Sequence, residues 1–434
     1  MRSMRSVVRR FAGRSGHRAI AAALAAVAVG GVVMTTGPAS AAPTVTVNFA
    51  TQAIAQASWS KSIANFQKEY PNIRINVRYL PGDYGSLIRT QIRAGNIPDV
   101  FYVAPGNGAG QSVLPYVYQK GIVMDLSGES WVKRIPDFVK PMVSTSQGVY
   151  AWPGDINLQA LWYNKPGLAK VGVNKAPATF GELLKTCKTI SAAGKTPIAL
   201  ATVPAVNAFS LLGLNAAALD GISPKFMKAR KKGQTTFAAS GPWKKAAQRV
   251  VLMRDSGCFS KGVAATTNQA VFGQLASGQA LMFAGASQIL NGVFPLITDK
   301  SAVDFKGVPF PGDKGGKGGV MVTPNDGLAV SEKTKVKQAA LAFVKYMARP
   351  KEAVTFASAN GNADLVGFSK GHVPGFMGGL RHAIHAGQTV INPASVWPNP
   401  SARETIGAGT VGLLTGQKKP DQVLADADRA YDGN

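Results

Sequence analysis

GVYAWPGDINLQALWYNK, from Gly148 to Lys165, separates two differently patterned parts of the chain. It opens with an aromatic turn (Tyr150, Trp152, Pro153), passes through a polar run from Asp155 to Gln159, and ends in a strand-like Leu161–Trp162–Tyr163. That succession reads as a chain crossing from one lobe to another over the mouth of a ligand cleft.

Upstream of the crossing, Thr44–Ala50 alternates Val45, Val47 and Phe49 as a strand. Ala57–Tyr70 sets Trp59, Ile63, Phe66 and Tyr70 on one helical face, and Pro71 ends it. Ile73, Ile75, Val77 and Tyr79 alternate again. A helix through Leu87, Ile88 and Ile92 stops at Gly95, and Val100–Val103 is a short apolar strand. This β-α-β-α-β order predicts a mainly parallel sheet, whose ligands bind beyond the carboxyl ends of its strands. Those ends are the loops Thr51–Gln56 and Ala104–Gln111.

Downstream, Thr179 and Glu182 form a capping box for a helix carrying Leu183, Leu184, Cys187 and Ile190. Ile198–Ala201 and Ala280–Phe283 read as strands. Between them Pro242 starts a helix through Trp243, Ala246 and Val250, and another helix runs through Val271 and Leu275. The second lobe is therefore also α/β. Asp313–Gly319 (DKGGKGG) is a polar surface loop or linker. Ser331 is expected to cap a long amphipathic helix through Phe343 and Met347. Ser401 and Glu404 suggest a second capping box, and a last helix follows Pro420.

At 434 residues, 46% hydrophobic and 16% charged, the chain is long enough for two domains. Residues 1–41 read as a secretory signal: a basic n-region of six arginines, an apolar run from Ala19 to Val33, and Ala39-Ser40-Ala41 for cleavage. The run is short and interrupted by Gly30 and Gly31, which argues against a membrane anchor. Arg9-Arg10-Phe11 raises twin-arginine export, although Phe11 follows the pair without the usual spacer. There is no cysteine near the cleavage site to take a lipid, so the expected product is exported and lies outside the cell, at the envelope or in a periplasm.

Removing the signal takes the formal charge from +26 to about +20. This favours anionic surfaces, but the basic residues are scattered apart from Lys228–Lys232 (KARKK), and no nucleic-acid partner is expected. The two cysteines, Cys187 and Cys258, can form one disulfide or remain separate buried thiols. With four histidines they make no metal-ligand pattern, and no cofactor is expected.

Several segments, in order, resemble the extracellular solute-binding proteins of ABC importers, in the group carrying sugars and oligosaccharides. These are FQKEYPNIRINVRYLPGDY (Phe66–Tyr84), AGNIPDVFYV (Ala94–Val103), LWYNKPGLAKVGVNKAPATFGELL (Leu161–Leu184), GQALMFAG (Gly278–Gly285), the segment 319–347 and QVLADADRAYD (Gln422–Asp432). The resemblance implies a periplasmic-binding-protein-like fold: two α/β lobes, each a mainly parallel sheet flanked by helices, joined by a multi-strand hinge. It places lobe one at residues 44–155 plus 319–365, and lobe two at 156–318 plus 366–434. It implies a monomer that closes around a sugar and presents it to a membrane permease, without covalent chemistry.

The candidate ligand residues follow from that frame. Asn157, six residues before Tyr163, takes the place of a polar hinge residue touching ligand, with Asp155 beside it and Trp152 offering a ring from the same turn. Gln52 and Asn107 lie on the loops after the first and third strands. Ala286-Ser287-Gln288 stands where the resemblance points to a stacking aromatic, leaving Gln288 as the candidate. Trp397, in VWPNP, offers a stacking face from lobe two. Each has a plainer reading: Trp152 as a packed turn, Asn107 and Asp155 as turn residues. Trp59 and Trp162 read as core. A secreted glycosidase is the competing class, and needs a carboxylate pair. Only Asp155, with Asp326 behind it, has a claim. A cationic envelope protein is the third reading.

Overall fold

The alternation in the first strand is built as expected. In the computed structural model, which describes residues 43–81, 84–106, 114–315 and 317–433, Val47 and Phe49 point into the core from β1 (Val45–Gln52). The remaining strands in chain order are β2 (Ile73–Leu80), β3 (Val100–Val103), β4 (Asp155–Asn164), β5 (Thr196–Ala199) and β6 (Ala280–Ala286). Then come β7 (Phe305–Val308), β8 (Phe310–Pro311), β9 (Gly318–Asn325), β10 (Gly327–Val330), β11 (Ala363–Asp364) and β12 (Thr389–Ile391).

The first sheet has the order β10-β3-β1-β2. β1 pairs in parallel with β2 and β3, as helical connections between strands require, and β10 closes the edge antiparallel to β3. Phe343, on the helix Lys337–Met347, meets this sheet in an aromatic cluster. Its ring centroid lies 5.6 Å from Phe49 and 5.2 Å from Phe66, and Trp59 lies 4.9 Å from Phe49. Trp59 is thus core.

The second sheet has the order β12-β9-β4-β6-β5 and is mixed rather than mainly parallel. β5 and β6, linked through helices, run parallel. β4 runs antiparallel to β6, β7 and β9 because it enters the sheet from the opposite end, where the chain arrives from the first lobe. The polar run and the apolar strand, which look separate in sequence, form this one strand. Nine of its ten residues are buried, including Trp162, whose indole donates to the Gly285 carbonyl at 2.8 Å.

Three chain segments meet where β4 begins. Asp155 pairs with Asn325 at the end of β9 and with Asp364 of β11. Gly154 permits the approach: its φ is +72°, and a Cβ there would stand 1.9 Å from the Asn325 carbonyl oxygen. β9 belongs to the second sheet and β10 to the first, so the chain returns across the hinge at Asp326.

Two helix starts differ from expectation. The helix expected from Ser331 begins at Lys337. Residues between are held in a turn: Ser331 Oγ accepts from the Lys333 N–H at 3.2 Å, and Thr334 Oγ1 donates to Asp99 at 2.6 Å. Ser401 opens the helix Ser401–Thr415 but forms no capping box; its hydroxyl donates to the Ala430 carbonyl, and Asn399 accepts its N–H at 3.0 Å. The Thr179–Glu182 box forms, with both reciprocal bonds at 3.2 Å.

Cys187, on the helix Phe180–Ala192, is joined to Cys258 by a disulfide across 71 residues, and both are buried in the second lobe's core. Reduction, or a Cys187→Ala, Cys258→Ala double variant, is expected to lower the unfolding free energy by about 4 kcal/mol on the loop-entropy model. The urea midpoint reads this; a midpoint unmoved by reductant would remove the role.

The hinge holds a buried acid pair. Asn360 Nδ2 donates to Asp155 Oδ2 at 3.0 Å and also to Asp326 Oδ2. Asn362 Nδ2 donates to Asp155 Oδ2 at 3.0 Å, and Asn325 Nδ2 to Asp326 Oδ2 at 2.7 Å. Both carboxyls are buried, and the Oδ1 of each lacks a partner. Among the described residues no cation forms an ion pair with either, and Tyr102 faces them with a neutral hydroxyl. Burial, and then the Asp326 charge, raises Asp155 well above the carboxylate range; burial pushes Asp326 up to about 7.

The folded chain therefore keeps protons that the unfolded chain releases above about pH 4. Its stability should fall as pH rises from about 4 through about 7, where Asp326 ionises, and go on falling while Asp155 still holds its proton. Asp326 has φ +51°, a conformation asparagine adopts readily, so Asp326→Asn removes the titration with little strain. Urea midpoints across that range should show a shallower decline in the variant; equal slopes would rule the pair out as the cause.

Candidate ligand-binding site

Successive side chains of a strand alternate faces, so Asn157 and Gln159 leave β4 on the same side. Thr323 of β9 lies directly across from Asn157. All three project into a cavity of 180 Å³ between the lobes. Asn157 Oδ1, Gln159 Oε1 and Thr323 Oγ1 are buried there without a hydrogen-bond partner. Gln288, just beyond β6, adds an amide to the wall, its Nε2 3.4 Å from Asn360 Oδ1.

The first lobe contributes Tyr102, Ala104 and Pro105 from the carboxyl end of β3, where ligands of such sheets bind. Burial raises the Tyr102 hydroxyl well above its ordinary range, so it stays a neutral donor and acceptor. Asn392, Ser395 and Arg403 close the far side. Asn392 is fixed by its own turn: its N–H donates to the Val322 carbonyl at 2.8 Å, and its Oδ1 accepts from the Ala394 N–H at 3.1 Å. Arg403, in the first turn of the helix Ser401–Thr415, is half-buried, and its Nε is unpartnered. Burial lowers its pKa, with Glu404 and Tyr102 opposing.

Ser395 also lines a larger chamber of 850 Å³. Gly106 and Ser395, both in its lining, approach closely: a Cβ on Gly106 would stand 2.2 Å from the Ser395 carbonyl oxygen. Phe138 and Met142 form one wall of the chamber, and Ile222, Met227 and Lys231 form another. Phe138 keeps 36% of its surface exposed, its ring edge-on to Phe368 at 6.1 Å.

The sequence-derived candidates separate clearly. Asn157 and Gln288 line the inner cavity. Gln52, half-buried at the end of β1, is near enough to Tyr102 to act on its hydroxyl but is not among the residues lining the cavity. Asp155 belongs to the hinge pair and is buried away from the cavity. Trp152 is 5% exposed and tied to Leu328 by two backbone hydrogen bonds, on the face towards Trp131. Trp397 is core: its ring packs at 5.7 Å from Phe209, 5.4 Å from Phe237 and 6.1 Å from Tyr431, so it offers no free face. Its neighbour Val396 is the one that faces the chamber. Asn107 lies outside the described residues.

Gln159, Thr323, Arg403 and Phe138 were not anticipated. Gln159 follows from Asn157 by the strand period once β4 is read as continuous. Arg403 is masked in sequence by the apparent capping box. Among alanines and prolines, the polar part of the inner lining is amides, hydroxyls and one guanidinium, a set suited to holding a hydroxylated molecule. Among the described residues no three His, Cys, Asp or Glu converge as a metal site.

A family model for bacterial extracellular solute-binding proteins matches residues 50–354. The chain is 26% identical over 297 residues to a multiple sugar-binding protein of Streptococcus mutans, covering 67% of this chain and 68% of that protein. Among solved structures, the solute-binding protein RafE in complex with raffinose superposes with a TM-score of 0.72 at 20% identity, covering 90% of this chain and 99% of RafE. A protein solved in work on xylan utilization by Caldanaerobius polysaccharolyticus gives 0.74 at 22% identity, covering 89% and 99%. These likenesses establish the two-lobed fold. With its match running through both sheets and the hinge, the chain belongs to the bacterial extracellular solute-binding proteins.

Proposed function

We propose that this protein binds a carbohydrate between its lobes and delivers it to an ABC importer. The observation that carries the reading is the set of unpartnered acceptors, Asn157 Oδ1, Gln159 Oε1 and Thr323 Oγ1, on one wall of a cavity whose other wall is the first lobe. A buried polar atom left unpaired costs about 1–3 kcal/mol, which a ligand hydroxyl relieves by donating. Phe138 at the chamber wall is the aromatic surface best placed for a sugar ring. The relatives agree in kind: their names speak of multiple sugars, raffinose, stachyose and chitin oligosaccharide.

The mechanism is closure. A ligand touching Tyr102 on one lobe and Asn157 and Gln159 on the other favours the closed state by its contacts with both. In this reading lobe one is residues 44–155 with a returning segment that ends near residue 365 and starts at β10 rather than at residue 319, because β9 pairs into the second sheet; lobe two is the rest. The N-terminal 41 residues direct export and are removed, and the cationic surface holds the protein at an anionic envelope. A permease that recognises the closed form is the partner.

The competing class, a glycosidase, gains nothing from this cavity, whose lining holds no carboxylate. Thermal-shift and calorimetric titration against an oligosaccharide panel tests the proposal. One ligand should raise the melting temperature, and no reducing ends should be released. Asn157→Ala and Gln159→Ala should each weaken that ligand by about tenfold or more, while leaving the unliganded melting temperature unchanged or raised, because each removes an unpaired buried acceptor. Turnover of the ligand, or a panel with no binder, would overturn the reading.

A further inference from the structure

We propose that the ligand carries a carboxylate, as a uronic-acid-containing oligosaccharide does, and that Arg403 reads it; this rests on the carbohydrate reading above. The buried arginines of the second lobe show what is unusual about Arg403. Arg230 is held by Asp428 at 3.3 Å and by Asp432 at 2.9 Å, and Arg249 by Asp313 at 2.6 Å. Arg403, half-buried in the cavity wall, has no ion pair among the described residues; all three arginines leave Nε without a partner, so the missing counter-charge is what sets Arg403 apart. Its contact with Phe209 is distant, the guanidinium carbon lying 6.0 Å from the ring centroid. Glu404, next in sequence, is exposed.

A cation taken from water without a counter-charge is unfavourable unless something arrives to pair with it. The inner cavity supplies nothing, since no aspartate or glutamate lines it. The adjoining chamber continues the imbalance, with Lys231 and Lys317 set against Asp220 alone. These lysines come from the KARKK run and the DKGGKGG loop, and neither forms an ion pair among the described residues. Within KARKK the roles divide: Arg230 turns inward to the acids of the last helix, and Lys231 faces the chamber. The planar fork of a guanidinium matches a carboxylate through two parallel hydrogen bonds, whereas a neutral hydroxyl leaves the charge uncompensated.

Calorimetric titration of the mature protein against matched pairs decides the matter. The probes are trigalacturonate and its carboxyl-reduced trisaccharide, xylotriose with and without a glucuronate branch, raffinose, and galactose 1-phosphate. An acidic member should bind about tenfold or more tightly than its neutral partner. Arg403→Gln should bring that ratio close to one, with Arg403→Lys between, and melting temperatures taken alongside confirm that the variants fold. If Arg403→Gln does not fold, the matched pairs on the native protein and the lysine variant still decide. Equal affinity within every pair, a ratio that survives Arg403→Gln, or tightest binding of the phosphate would each overturn the proposal. Neutral sugars binding while acidic ones fail would sink this inference and leave the carbohydrate reading standing; no saccharide binding at all would sink both.

Discussion

The hydrogen bonds that Asn360 makes to two carboxyls at once are what the rest of the structure depends on. Asp155 begins β4, Asp326 joins β9 to β10, and Asn360 and Asn362 lead into β11, so a single amide group ties together every segment that crosses between the lobes near the cavity. An apolar hinge core would have held these segments by burial, which is indifferent to small rotations. Directional bonds to buried acids fix the crossing angle instead, and the fixed angle determines which face of β4 looks into the cavity. Two carboxyls in such a place are compatible only if protons neutralise them, so the crossing point is set by protonation as much as by packing.

From that anchor β4 runs unbroken into the second sheet, and this continuity does two jobs. Its near half presents Asn157 and Gln159 to the cavity, and its far half, with Trp162 inside the sheet, is buried but for Tyr163. The residues that face the ligand space are therefore held by a strand whose register is fixed on both sides, by β9 along the near half and by β6 and β7 along the far half. Such rigidity explains how unpartnered acceptors persist. A flexible loop would turn its amides to each other or to water; a strand in register cannot.

How far the sequence revealed this varies with the range of the interaction. The Thr179–Glu182 box was legible because both partners sit within one turn, and the alternation of β1 and β2 because a half-buried sheet imposes a period of two. The helix start at Ser331 was not, because Asp99, distant in sequence, captures Thr334 and holds the intervening turn. Trp397 misled for a related reason: a Pro- and Asn-rich loop implies exposure, and only the tertiary arrangement of Phe209, Phe237 and Tyr431 shows the ring enclosed. In the site itself, Asn157, which lines the cavity, was placed only by the family resemblance, six residues before Tyr163. Gln159 was hidden by breaking one strand into two, and Arg403 by a capping pattern that its helix does not use.

The charge of the chain, formally +26, acquires a more specific meaning in this setting. Over most of the surface it is a solvated field, screened beyond about 8 Å at physiological salt. In the cleft the same excess has two regimes. Lys231 and Lys317 are exposed at the outer chamber, where they add to the attraction that draws an anion in but contribute little to holding it. Arg403 is half-buried in the inner cavity wall, and there a counter-charge counts for more than at the exposed lysines. The gradient from exposed lysines to a half-buried guanidinium leads inward to Asn157 and Gln159. A surface property that says nothing about a binding site when read from composition becomes, in the proposed role of Arg403, a determinant of what the site can hold.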